Sequence, residues 1–177
     1  SYSNSEDYSR FKFQNELIYK NQVFGIVAMF GVIALLVFSF QGVVPSRDLY
    51  LWTGLCVASY VARYILVLVY HSVSDAEQSL PKWEDRFTTS VIVSGLIWGS
   101  SAFLLYPDGY QMYQAALLFI VSLMGVATAA THSGYRLASA LFILCSMLPF
   151  IVRLLVEPGL LPTTMALWVL LFLLLIV

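Results

Sequence analysis

Ionisable side chains within apolar sequence are where this chain would do chemistry. A charge in hydrocarbon is costly and is kept for a partner or a purpose. Two arginines stand there. Arg63 has Cys56, Ser59, Tyr60 and Tyr70 at helical spacings and lies about 12 Å of helix from His71. One reading has it snorkelling or bonding to carbonyls and tyrosines. The other has it binding an anionic headgroup or ligand. Arg153 precedes Glu157 at the i,i+4 spacing of an ion pair, with a ligand contact as the second reading. Trp98 falls deep in an apolar run, where its N–H needs an acceptor or a cavity. Tyr50, Trp52, Tyr106, Tyr110 and Tyr113 cluster toward the opposite ends of the runs. They read as an interfacial aromatic belt or as the rim of a pocket for an apolar signal. The candidate ligand contacts are therefore Arg63, Trp98, Tyr106, Tyr110 and Arg153.

Other chemistries find little support. His71 and His132 both close helices, where a partial positive charge is favourable. A metal or bis-histidine haem between them is the lesser reading, and no cofactor is expected. Cys56 and Cys145 lie in apolar runs and read as small buried side chains. No CxxC, HExxH or GxGxxG occurs. No histidine or carboxylate stands near the intramembrane serines and threonines, so no nucleophile–base pair forms and no catalytic residue is expected. A net charge of −1 gives no reason to expect nucleic acid.

The elements that position these residues are six apolar runs, at about 22–41, 49–71, 87–106, 111–131, 137–157 and 163–177. Of the 177 residues 60% are hydrophobic and 11% charged, too few charges to cover a soluble surface. The complete runs approach the ~20 residues that cross a bilayer. They are continuous rather than alternating, which favours helices over a barrel. The expected fold is an all-α integral membrane bundle, residues 22–177, preceded by a cytoplasmic or interfacial segment, residues 1–21. In that segment Phe13, Leu17 and Lys20 share a helical spacing. Pro45, Pro81, Pro107, Pro158 and Pro162 fall in links, and Pro149 alone falls within a span, where a kink is expected. Arg10, Lys12, Lys20, Lys82, Arg86 and Arg136 lie on one side and only Arg47 on the other, so both termini are expected to be cytoplasmic. The sixth run is short for a span, and the native chain is expected to continue past it.

Gly95 and Gly99 form a GxxxG spacing, and Gly125 with Ala129 repeats it. Such stripes admit a close helix, within one chain or across a dimer. No carboxylate lies in mid-span, which argues against a proton-coupled pump.

From Trp83 to Pro107 the chain reads W-x2-RF-x7-GLIWG-x7-P. The small-residue stretch Gly125–Ala130, then Leu148-Pro149, then Glu157-Pro158-Gly159 follow it. The pattern resembles the N-terminal six-helix, MASE-like sensor regions of bacterial membrane signalling proteins. The resemblance implies a homodimer in the bacterial inner membrane that controls a C-terminal GGDEF-type diguanylate cyclase or a histidine kinase. Gly95, Trp98, Gly99 and Pro149 match it as architecture, with Pro149 as a hinge, and no ligand residues carry over. The expected function is a sensory input domain, not an enzyme, that responds to a small apolar or lipid-like signal. The alternatives are a small transporter or channel, and a passive dimerising anchor.

Overall fold

A computed structural model describes residues 13, 15, 16, 18, 19, 22–131 and 136–176. Among them the helices are α1 (Gln22–Phe40), α2 (Ser46–Ser72), the single turn α3 (Asp75–Gln78), α4 (Lys82–Leu104), α5 (Gln111–Thr131), α6 (Arg136–Val156) and α7 (Leu160–Ile176). No strand occurs among the described residues. Five helices are long and apolar enough to cross a membrane, and α7 is a shorter apolar one. The chain is an all-α bundle of the membrane type.

Hydropathy located the spans better than the helix ends. The helix α4 starts at Lys82, five residues before its apolar run, because helical hydrogen bonding does not require apolar side chains. It stops at Leu104, where the Leu105 amide bonds back to the Ser101 carbonyl. The helix α7 begins at Leu160, so Pro162 lies in its first turn and not in the link. A proline there forfeits no helical hydrogen bond. Gly109, at φ 83°, makes the turn between α4 and α5.

The helices α4 and α6 make the most extensive packing in the bundle; α2 flanks α4, while α5 and α7 flank α6, and α1 packs on α2. The buried face of α2 advances in steps of three or four through Leu49, Trp52, Cys56, Tyr60, Arg63, Val67 and Tyr70. The outward face is apolar too: Phe24 is 82% exposed, Phe38 80% and Trp168 70%. Large side chains exposed in this way fit a lipid surrounding.

Gly95 and Gly99 are used within the chain. A Cβ on Gly95 would lie 3.0 Å from the Phe142 carbonyl oxygen and from Cys145 Cβ. At Gly99 it would fall on the Cys145 carbonyl oxygen, and 2.8 Å from Pro149 Cγ. Pro149 cannot donate to the Cys145 carbonyl, and that carbonyl faces Gly99. The helix α6 runs unbroken through Pro149. Gly125 meets only ordinary contacts, Ile143 at 3.4 Å and Phe172 at 3.8 Å, and Ala129 is half-buried against the core.

Asn15 and Tyr19 hold the chain ahead of α1 to the α2–α4 link and the start of α4. Asn15 donates to the Gln78 carbonyl at 2.8 Å, and the Tyr19 hydroxyl donates to the Trp83 carbonyl at 3.1 Å. Tyr19 also stacks on Tyr70 at 4.0 Å between centroids. Phe13 is exposed; Leu17 and Lys20 lie outside the described residues.

Candidate functional site

The seam between α2 and α4 is a polar ladder. Trp52 donates from Nε1 to the Ile97 carbonyl at 2.9 Å, and its ring meets Trp98 edge-on at 5.1 Å. Trp98 in turn donates to the Tyr60 hydroxyl at 2.8 Å. Ser59 and Ser94 share a hydrogen bond at 2.9 Å. Arg63, the most buried charge among the described residues, donates from Nη2 to the Ser90 carbonyl at 2.9 Å and to Ser94 Oγ at 2.8 Å. Hydrogen bonds of this kind hold helices together where lipid removes the hydrophobic driving force.

Trp98 thus has the acceptor its depth demands. Trp52 does not belong to an interfacial belt, as its position near the end of the run implied. It is fully buried, because its place in the α2 repeat turns it onto α4. Tyr60→Phe is expected to leave the Trp98 N–H buried without an acceptor and to cost about 1–3 kcal/mol. Denaturant unfolding in mild detergent measures it, and a neutral result would place the indole proton elsewhere.

Arg63 is the unusual member. It is 7% exposed, and among the described residues no carboxylate pairs with it. Its compensation consists of the two Nη2 bonds and the faces of Tyr60 and Phe87, at 5.5 and 6.0 Å from Cζ. Nε is buried with no hydrogen-bond partner. An arginine near mid-span carries an insertion cost of about 2.5–3.5 kcal/mol, and this one keeps its Nε donor unspent.

Beside it lies a cavity of about 220 Å³ walled by α1, α2, α4, α5 and α6. Its lining is apolar except for Gln22, Tyr60, Arg63 and Thr128. On its other side the arginine borders an outward groove of about 450 Å³ with Ser59, Asp85, Arg86 and Thr89.

The other candidates fall elsewhere. Arg153 pairs with Asp108 and covers the Tyr106 ring at 4.7 Å, while the Tyr106 hydroxyl donates to Glu157 at 2.9 Å. The expected Arg153–Glu157 pair is thus replaced by two cross-links between α6 and the α4–α5 link, which folds over the end of α6 and offers each group a nearer partner. Burial, and then the Glu157 carboxylate, push the Tyr106 phenol above its ordinary range, so it remains a donor at neutral pH. Tyr110 is exposed and touches Tyr113 edge-on. His71, exposed, packs on Tyr70; His132 lies outside the described residues. Among the described residues no cluster of His, Cys, Asp or Glu could hold a metal.

Arg63 and Trp98 are therefore brought to one seam, joined through Tyr60 and Ser94, while Tyr106 and Arg153 form a closed cluster apart from it. The pairing of Arg63 with Ser90 and Ser94, and the cavity walls on α1 and α5, escaped sequence reasoning. Only the helical spacing of Ser90 and Ser94 on one face of α4 hinted at a polar stripe. The chain matches no family model, no curated protein and no solved structure.

Proposed function

We propose that this chain is a membrane-embedded sensory input domain that controls a cytoplasmic signalling effector, a diguanylate cyclase or histidine kinase, within a dimer of the bacterial inner membrane. The observation that carries the reading is the buried, carboxylate-free Arg63 beside a cavity in the core of the bundle. A passive anchor has no use for such a charge, since apolar packing of the same volume would hold the helices at least as well. A receptor has a use for it, because a ligand that satisfies the arginine favours one packing of the helices over another.

The excess of basic residues in the N-terminal segment and the α2–α4 link supports a cytoplasmic position for that end of the bundle. Gly95 and Gly99 are filled by α6, so the dimer meets on another face. Exchanging residues 22–177 for an unrelated dimeric membrane anchor is expected to keep the effector assembled but to abolish its response to stimulus. A response that survives the exchange would sink the sensor reading in favour of an anchor. Solute flux through liposomes carrying the chain would instead indicate a transporter.

A further inference from the structure

We propose that the Arg63 cavity is the receptor site for a small amphiphilic acid, with its anionic group on the guanidinium and its apolar body between α1, α4, α5 and α6. As the signal of this domain the acid rests on the sensor reading above; as a ligand it rests on the site alone.

Three observations define the ligand. The first is charge. Arg63 spends Nη2 on Ser90 and Ser94, and its Nε is buried with no partner. A guanidinium with a buried donor to spare in an apolar surrounding selects an anion, and a carboxylate oxygen can accept from that Nε. The second is shape. An apolar cavity of about 150 Å³ accommodates benzene, so about 220 Å³ holds a somewhat larger body, such as a short acyl chain. The third is polarity. Ile26, Met29, Val91, Met124 and Phe142 line the space, and such walls favour hydrocarbon over water. A neutral apolar molecule would leave the arginine unsatisfied, and a small inorganic anion would leave the walls empty.

In this proposal the outward groove is the entrance. Arg63 is a wall of both spaces, and Arg86 lines the groove near the start of α4. An acid held in the bilayer would meet Arg86 first and Arg63 next, with Asp85 on the same rim setting a limit on how much negative charge is tolerated. The bound acid would tie α1, which packs mainly on α2, to the α4–α6 centre.

The same chemistry is offered by a free carboxylic acid and by an acidic phospholipid, and the test has an arm for each. The purified chain in phosphatidylcholine nanodiscs is titrated with octanoate, with octan-1-ol as the uncharged control, and unfolding temperature is read. A second set of nanodiscs contains phosphatidylglycerol and no octanoate. Octanoate is expected to raise the unfolding temperature saturably and octanol much less. Arg63→Met is expected to weaken octanoate by about tenfold or more. Gly25→Leu should weaken it comparably, because Gly25 lines the cavity and an added Cβ there meets nothing within 4 Å. An Arg63-dependent shift with phosphatidylglycerol alone would assign the site to the bilayer's own lipid. Octanoate binding unchanged in both variants, or no Arg63-dependent shift in either arm, overturns the proposal. Binding is read on the isolated chain and sensing as effector output, so the two can fail separately.

Discussion

Gly99→Val is expected to be the most damaging single substitution in the bundle, costing about 3 kcal/mol and most of the folded yield. The reason is what the new side chain would meet. A Cβ at Gly99 lands on the Cys145 carbonyl oxygen, and the Pro149 ring stands 2.8 Å away. Neither obstacle is the free end of a flexible side chain: one is backbone and the other a ring closed onto it. Relief requires moving α6 away from α4, its most extensive contact. Gly54→Val is the control, since its Cβ meets nothing within 4 Å and the position faces outward. It should be nearly neutral when unfolding is followed by tryptophan fluorescence in mild detergent. Pro149→Ala removes one of the two obstacles, so Gly99→Ala combined with Pro149→Ala should cost less than the sum of the two by about 1 kcal/mol. Equal effects of Gly99→Val and Gly54→Val would refute the close approach.

Arg63→Met should do the opposite and stabilise the ligand-free protein, by about 1–4 kcal/mol. The substitution removes a buried charge that is only partly compensated, and it orphans nothing. Ser94 Oγ keeps its bond with Ser59 at 2.9 Å and its bond to the Ser90 carbonyl at 3.0 Å. Methionine is flexible enough to fill most of the vacated space. Ser94→Ala should act in the reverse sense, because it takes an acceptor from the guanidinium and leaves the charge in place, at about 1–3 kcal/mol. Opposite signs for Arg63→Met and Ser94→Ala would identify an arginine that is retained against stability. Destabilisation by both would make Arg63 a structural clamp between α2 and α4 and remove the main support for a receptor site.

These two positions divide the bundle physically. Gly99 marks where backbone meets backbone and nothing can be added. Arg63 marks where a polar group has been left with capacity to spare, beside open volume. Gains in stability from removing a group of this kind are the usual sign of a functional site, where activity and stability pull apart.

Much of the membrane architecture was legible without coordinates. Long apolar runs in a bilayer must satisfy their own backbone, so they must be helices, and α1, α2, α4, α5 and α6 appear where those runs fall. Arg63 stood out because a charge is rare within a span, Trp98 because its N–H needed an acceptor, and Gly95 with Gly99 because their spacing admits a close helix. The choice of partner was not legible. Leu51, Leu55, Ile65 and Leu68 on the outer face of α2 are as apolar as the Leu49 and Val67 that are buried, so in lipid hydropathy does not say which face turns inward. That choice is made by complementarity between helices distant in sequence. It turned Trp52 onto α4, gave Arg153 to Asp108 in place of Glu157, and set α6 against the glycines of α4. The cavity is the extreme case. Its walls come from five helices, and an unfilled space has no residue of its own to announce it. A helical bundle of the membrane type, with one charge near mid-span on its second helix, follows from the order of residues, because lipid leaves apolar runs no other backbone solution; that this charge is buried, short of partners and beside room for something else follows from how distant helices pack.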